Sequence, residues 1–352
     1  MKARIVIGAN YGDEGKGTVV ASLTKKSSGV LNVLTNGGAQ RGHSILTPDG
    51  SITFQHFGSG TYHGADNYYS RFYILNPIQF VKEYEALIVK PQHIYRDKDC
   101  RWSTPYDSIV NLIEEKRKGR KASCGMGIWN TVRRWRETNP MLFDDFVFCE
   151  NPYAHLDSVR KYYEKNVVIP SEWRDIWDSA GLMDHFIEDC KFMWEHTFAC
   201  GLGSLSYEDY IFENGQGLLL RDTGLDTFDT TPSDTGITYA LLMAREQGIK
   251  DITAHYVTRP YLTRHGDGRI AGEANRHSLS SSVQEDRTNH YNDNQGEFRY
   301  GALDIKELKQ RIERDARGVN YEVDLTHCDE MDRATEFKRE FGVVNTYDKP
   351  LI

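Results

Sequence analysis

Short β-branched runs alternate along the chain with segments that repeat apolar positions every three or four residues. Residues 3–9 (ARIVIGA) are β-branched, apolar apart from Arg4 and bounded by glycine, which predicts a buried strand, and residues 16–26 continue as a helix. Residues 30–35 form a second strand candidate, so the chain starts β-loop-α-β. Further strands are expected at 52–57, 210–213 and 252–258. Between 182 and 194, Leu182, Phe186, Cys190 and Met193 or Trp194 recur at helical spacing, the mark of a core-facing helix. Residues 95–180 are rich in Trp, Tyr and charge and read as helical insertions on a sheet. Residues 264–300 are polar, with Gly266, Gly268, Gly272 and Gly296 and three consecutive serines from Ser280. In a compact enzyme such a stretch is a functional loop or disorder. No repeat or Pro-rich linker divides the chain. The expected architecture is α/β: one domain over 1–352, a single mostly parallel central sheet, helical insertions at about 95–180 and a substrate loop at about 264–300.

Composition narrows the classes. The 352 residues allow one or two domains, and hydrophobic content of 39% with 12% aromatics supplies a large core. A net charge of -8 argues against a nucleic-acid backbone binder, which is normally basic. No apolar run approaches the roughly 18 residues of a membrane span, and the N-terminus enters a strand without a signal-peptide core. A cytoplasmic protein without membrane partners is expected. The six cysteines show no C-x-x-C pair, so neither a disulfide framework nor structural zinc is expected.

Chemistry concentrates in two glycine-rich turns. Gly12-Asp13-Glu14-Gly15-Lys16-Gly17-Thr18 joins the first strand to the first helix, where glycines admit backbone N–H groups to an anion and the helix terminus adds positive potential. This is a phosphate cradle but not a Walker A loop, which would need glycine at Asn10 and Ser or Thr at Gly17. Asp13 puts a carboxylate beside phosphates, a cost that a cation or a proton-transfer role offsets; helix capping is the simpler alternative. The second turn is Asn36-Gly37-Gly38-Ala39-Gln40-Arg41-Gly42-His43, in which Gly42 allows close carbonyl approach and His43 is placed as an acid or hydrogen-bond donor.

Together, Gly12 to Gly17 and Gly37-Gly38-x-x-x-Gly42-His43 resemble the adenylosuccinate synthetase family, and further segments follow in that family's order. His56-Phe57-Gly58-Ser59-Gly60 is similar to its His-x-x-Pro-Ser-Gly segment, with Gly58 in place of proline. Phe212-Glu213-Asn214-Gly215-Gln216-Gly217 is similar to its Phe-Glu-Gly-Ala-Gln-Gly run, and Thr230 to Thr235 to its Val-Thr-Ser-Ser-Asn-Thr turn. Tyr261-Leu262-Thr263-Arg264-His265-Gly266 resembles Tyr-x-Thr-Arg-Val-Gly, and Thr326-His327-Cys328-Asp329 stands where the family has Thr-Lys-x-Asp.

The resemblance implies a ligase that moves a triphosphate's γ-phosphoryl group to O6 of a 6-oxopurine nucleotide and then displaces it with the amine of L-aspartate. Asp13 matches the base that takes the N1 proton, and His43 the acid facing the transferring group. Mg²⁺ is implied at Asp13 and the Gly42 carbonyl. The triphosphate set is Gly12, Glu14, Gly15, Lys16, Gly17, Thr18, Gly42, Arg299, His327 and Asp329. The nucleotide monophosphate set is Asp13, Lys16, Gln40, Ser123, Cys124, Arg133, Gln216, Thr231 and His265, with Arg133 matched to an arginine that the family shares across a homodimer. The aspartate set is Asn294, Gln295, Gly296 and Arg299.

Departures from the family sharpen the substrate. Glu297 replaces an arginine that reaches the ribose 2′-hydroxyl, reversing a charge and removing a donor fork. The short chain, ending 347–352 without the family's Pro-x-x-Gly-Pro segment, resembles the compact viral branch, which includes enzymes that join aspartate to dGMP for 2-aminoadenine nucleotide synthesis. The expected substrate is therefore dGMP. IMP with GTP, the ordinary reaction, stays open because the viral branch is expected to carry serine at Asp13. Asp329 favours GTP as donor, whereas His327, Cys328 and competition with dGMP favour ATP. Two further alternatives are a non-catalytic nucleotide-binding regulator and a nucleotide kinase.

Overall fold

A computed structural model describes residues 1–119, 121, 123–222, 230–286, 288–289, 291 and 293–348. Numbered along the chain, the strands of its main sheet are β1 (Lys2–Gly8), β2 (Val30–Leu34), β3 (Asp66–Tyr69), β4 (Ile94–Arg96), β5 (Phe198–Ala199), β6 (Asp209–Gly217), β7 (Asp251–Thr258), β8 (Tyr321–Leu325) and β9 (Val344–Thr346). Their spatial order is β5-β4-β3-β2-β6-β1-β7-β8-β9, and every pairing is parallel. Parallel strands need crossovers, which place helices on both faces and bury both sides of each central strand. The sequence of β1 reflects this. Ala3, Ile5 and Ile7 enter one apolar cluster with the helices Thr238–Glu246 and Ile305–Ala316, while Val6 enters another beneath the helix Lys16–Lys25. Val19, Val20 and Leu23 of that helix meet Val6, Val30, Ile211 and Val257.

Helices Pro105–Lys118, Ile128–Glu137, Phe143–Phe148, Pro152–Glu164 and Ser171–Trp177 occupy most of 105–177. The first starts on a Thr104–Asp107 capping box with proline at its first position. Buried Arg134 pairs with Asp107 at 2.9 Å and ties the second helix to the first. The helix Ala180–Glu195 buries Phe186, Ile187, Cys190 and Met193, so Ile187 joins the core face while Leu182 and Trp194 pack at its edge. Each such buried side chain contributes about 1.5–3 kcal/mol.

Three strand expectations change. The segment expected at 52–57 is a strand only over Gly50–Phe54 and lies outside the main sheet, in a hairpin with His43–Thr47. The chain turns away at Gln55 because the N–H groups of Gln55, His56 and Phe57 all donate to the Glu83 carboxylate. The strand expected at 210–213 runs on to Gly217 along β1. β4 begins the region read as purely helical, and Asp66–Tyr69 (DNYY) gives no apolar run although it pairs with both β2 and β4. The polar stretch 264–300 is anchored by a three-stranded sheet of Leu262–His265, Phe298–Gly301 and Glu273–Ala274.

Candidate active site

β6 lies between β1 and β2, so the carboxyl ends of these three strands open a crevice, the usual ligand position in an open parallel sheet. The loop after β1 is sharply folded, with Gly12, Asp13 and Gly15 at φ of 100°, 59° and 92°. Glu14 turns beneath it. One carboxylate oxygen accepts the N–H groups of Asn10 (2.9 Å) and Gly12 (2.8 Å), and the other pairs with Lys16 Nζ at 2.8 Å, with both side chains 2% exposed. Gly8 must lack a side chain, because a Cβ there would fall 2.4 Å from Glu14 Oε2. Glu14 therefore shapes the cradle from inside.

A cavity of about 480 Å³ occupies the crevice. It is lined by Gly12, Asp13, Lys16, Gln40, Gly42 and His43 from the two glycine-rich turns, by Gln216 at the end of β6 and by Thr231 beyond it. Ser123 and Cys124 line it from the helical region, and His265, Asn294 and Gln295 from the polar stretch. Gln40 Nε2 donates to Thr231 Oγ1 at 2.9 Å, while Gln216 adopts a φ of 56° at the end of its strand. Ser123 donates its hydroxyl to Asn111 at 2.7 Å. Burial pushes the Cys124 thiol up to about 11, so a neutral thiol faces the cavity. Asn289 Oδ1 lies 3.4 Å from His265 Nε2.

Other expected residues lie around this cavity. Gly15 abuts Thr326, whose hydroxyl donates to the Glu14 carbonyl at 2.6 Å, so the segment carrying His327 and Asp329 sits against the cradle from outside the cavity. Gly17 lets the helix touch the backbone of Ser44, and Thr18 follows in the first helical turn. Arg133 reaches Glu114 at 3.1 Å. Gly296 is buried against Lys121 at a φ of 71°. Arg299 does not reach the cavity lining. Its strand pairs with Leu262–His265, and its guanidinium is taken by Glu273 at 2.9 Å and by the Gly268 carbonyl. Glu297 is exposed and points no donor into the cavity.

Several lining residues escaped the sequence reading: Tyr11, Arg41, Trp129 and Arg264. Arg264 was within a quoted segment, and it lies with its guanidinium 5.1 Å from the centre of the Tyr11 ring. Gly268 makes this possible, since a Cβ there would overlap that guanidinium. Trp129 donates its indole N–H to the Thr230 carbonyl at 3.1 Å, which only the fold reveals.

The electrostatics separate two acids. Burial raises the Asp13 carboxyl above its usual range against the pull of His265, Lys16 and Arg259. Glu213, midway along β6, is also disfavoured by burial, but the Arg41 guanidinium and the hydrogen bonds from His43 and Ser59 hold it well below that range. Burial and Arg41 lower His43 to about 3, against its hydrogen bond with Glu213. The ligand-free site thus holds an ionised Glu213 against a neutral imidazole. Asp13 and Gly42 supply one carboxylate and one carbonyl to the cavity, a donor set that fits Mg²⁺ completing its shell with phosphate oxygens and water. Among the described residues no cluster of three or more His, Cys, Asp or Glu could hold a metal by itself.

A phosphate cradle at the switch point of a parallel sheet, facing a second glycine-rich turn with an acid and an imidazole, defines a nucleotide-binding α/β protein. The adenylosuccinate synthetase family profile matches residues 5–345, and the chain belongs to that family. The adenylosuccinate synthetase of Halothermothrix orenii is 26% identical over 96% of this chain and 80% of its own length. That of Microcystis aeruginosa is 24% identical over 76% of this chain, and the match spans only 62% of that relative's length. Two solved structures share the fold at a TM-score of 0.67. One is a fully ligated adenylosuccinate synthetase from Plasmodium falciparum, at 19% identity and covering 93% of this chain and 77% of that one. The other is the succinoaminodeoxyadenylate synthetase of cyanophage S-2L bound to dGMP and dATP, at 12% identity and covering 99% and 91%. Among the described residues no helix is long and apolar enough to cross a membrane.

Proposed function

We propose that the chain is an aspartate ligase that acts on a 6-oxopurine nucleotide, with dGMP as its preferred substrate and ATP as donor. The observation that carries this reading is the convergence of Asp13, His43, Gln40, Gln216, Asn294 and Gln295 on one cavity, from segments far apart in sequence. Asp13 takes the N1 proton, so negative charge collects on O6, which attacks the γ-phosphorus while the diphosphate leaves. Aspartate's amine then attacks C6, the C6–O6 bond breaks with phosphate as leaving group, and the new amine loses a proton. Lys16 and the cradle N–H groups meet the phosphate oxygens, and Glu213 stabilises positive charge on His43 when its ring meets the transferring group. Mg²⁺ held by Asp13 and Gly42 would neutralise charge between the phosphates. Binding alone would not require an acid and an imidazole placed together, which weighs against a regulator.

Two observations favour dGMP. Glu297 carries no donor into the cavity where the resemblance expects a ribose-contacting arginine. The cyanophage protein of the same fold binds dGMP and dATP. The reading extends to a homodimer in which Arg133 is offered to a partner's cavity, and native mass tests it. The substrate is tested by incubating the protein with Mg²⁺, ATP and aspartate and with dGMP, GMP or IMP in turn. Aspartate-dependent phosphate release fastest with dGMP is expected. Preference for IMP returns the chain to the ordinary reaction, and triphosphate turnover that is independent of aspartate and phosphorylates the nucleotide without releasing phosphate makes it a kinase.

A further inference from the structure

The imidazole of His43 is held by Glu213, and Glu213 is held in turn by Arg41 and Ser59. His43 Nδ1 lies 2.6 Å from Glu213 Oε1, and the same oxygen lies 2.6 Å from Arg41 Nη2. Ser59 adds a hydroxyl donor to Oε1 at 2.7 Å and its backbone N–H to Oε2 at 3.0 Å. The side chains of Arg41 and Glu213 have no exposure to solvent. Glu213 projects from β6, which pairs with both β1 and β2, so its carboxylate starts from a fixed point in the sheet.

This arrangement is costly. A buried ion pair seldom stabilises a fold more than apolar residues of the same size would. Among the described residues Nε and Nη1 of Arg41 have no hydrogen-bond partner, so the guanidinium is buried with part of its donor set unused there. Such an expense suits a site where geometry matters more than stability. Glu213 is an acceptor only, so the imidazole must offer it an N–H from Nδ1, and Nε2 is left as the ring nitrogen for the cavity that His43 lines. Arg41 Nη2 stands beside both groups, 2.6 Å from that oxygen and 3.2 Å from His43 Nδ1, and its charge keeps the carboxylate from swinging away from the ring.

We propose that Glu213 and Arg41 are positioning residues for His43: Glu213 fixes the plane and tautomer of the ring, and Arg41 fixes Glu213. Their action on turnover rests on the ligase reading, whereas their action on the ring does not. Two arms therefore test them. In ¹⁵N spectra of the His43 side chain, assigned by its disappearance in His43→Asn, wild type at neutral pH is expected to carry its proton on Nδ1. A proton on Nε2 overturns the proposal, whether or not any nucleotide is a substrate. In the ligase assay, Glu213→Gln and Arg41→Met should each lower kcat by about 10-fold or more, with KM for nucleotide and aspartate within about threefold. Combined with His43→Ala, neither should cost anything further, because a residue acting through His43 has nothing left to act on. Arg41→Lys, which keeps a charge beside Glu213, should recover part of the kcat lost in Arg41→Met. A folded Arg41→Met with full kcat, a change confined to KM, or an additive loss on top of His43→Ala overturns the proposal. If Arg41→Met does not fold, Arg41→Lys and the spectrum of Glu213→Gln decide by the same criteria. A wild type inactive on every nucleotide refutes the ligase reading and leaves the ¹⁵N arm standing.

Discussion

The two walls of the cavity are built differently. On the cradle side, Asp13 and Lys16 follow directly on the central strand β1, His43 opens the hairpin that follows β2, and their neighbours Glu14 and Glu213 are buried carboxylates, each accepting two or more donors. On the other side, Asn294 and Gln295 sit on a polar stretch joined to the body by a short antiparallel sheet and a few contacts, chiefly Arg259–Asp286 at 2.6 Å and the Ala271 N–H donating to the Tyr11 hydroxyl at 3.2 Å. Phosphoryl transfer needs groups placed within a fraction of an ångström, and the sheet ends supply that. Recognition of a small amino acid needs a surface that admits it and then closes, and loosely anchored loops supply that.

The largest expected effect breaks the rigid wall. Asp13→Ala and His43→Ala should each reduce turnover by about 100-fold or more while circular dichroism stays native, since neither side chain belongs to the apolar core. Near-normal turnover in either would remove the assigned roles. Next comes the looser wall. Arg264 lines the cavity and Arg299 does not, so Arg264→Ala should raise the aspartate KM by about 10- to 100-fold, the scale of a lost charge-assisted contact. Arg299→Ala should raise it by less, and a larger effect at Arg299 would mean that it leaves Glu273 when aspartate binds.

A pH experiment measures how dry the rigid wall is. His56, buried among Tyr69, Tyr73 and Phe80 with Nε2 accepting the Asn76 N–H at 3.0 Å, is lowered to about 3 by burial and by Arg41. Its unfolded counterpart takes up a proton below about 6.5 while the folded form does not, so this contribution to stability is present at neutral pH and is lost as pH falls from 6.5 towards 3. In His56→Gln the loss should be shallower by about 1.4 kcal/mol per pH unit over that window, read from urea unfolding. Parallel profiles for the two proteins would show that His56 is hydrated. Ser281→Ala, on the exposed polar stretch, should leave the profile unchanged. Smallest is the donor preference. ATP should exceed GTP under saturating dGMP and aspartate by a small margin, one that a second hydrogen bond of roughly 1 kcal/mol from guanine to Asp329 would overturn, and a tenfold preference for GTP would reverse the donor assignment.

The two walls were also unequally legible in the sequence. β1, the cradle and the helix Lys16–Lys25 could be read because an apolar run, glycines and helical periodicity agree there, and each follows from local chain geometry. Asp66–Tyr69 could not, because it is a polar-looking strand made central by its neighbours on both sides. In the site, Asp13 and His43 stood out as functional groups inside glycine-rich turns. Arg41 lay in the same turn and was passed over, since nothing local shows that it runs under His43 to a carboxylate 172 residues away. The resemblance puts Arg299 in the aspartate and triphosphate sets, but Glu273, its partner across the small sheet, is a tertiary neighbour that no local pattern shows.

The central claim is that O6 of the purine is phosphorylated before aspartate displaces it. The most direct measurement uses dGMP carrying ¹⁸O at position 6, with Mg²⁺, ATP and aspartate, and reads the mass of the released phosphate. Transfer through the 6-phosphoryl intermediate predicts that every phosphate released in step with product carries the label. Unlabelled phosphate would mean that the donor is hydrolysed by water and that Asp13 and His43 do not act on O6.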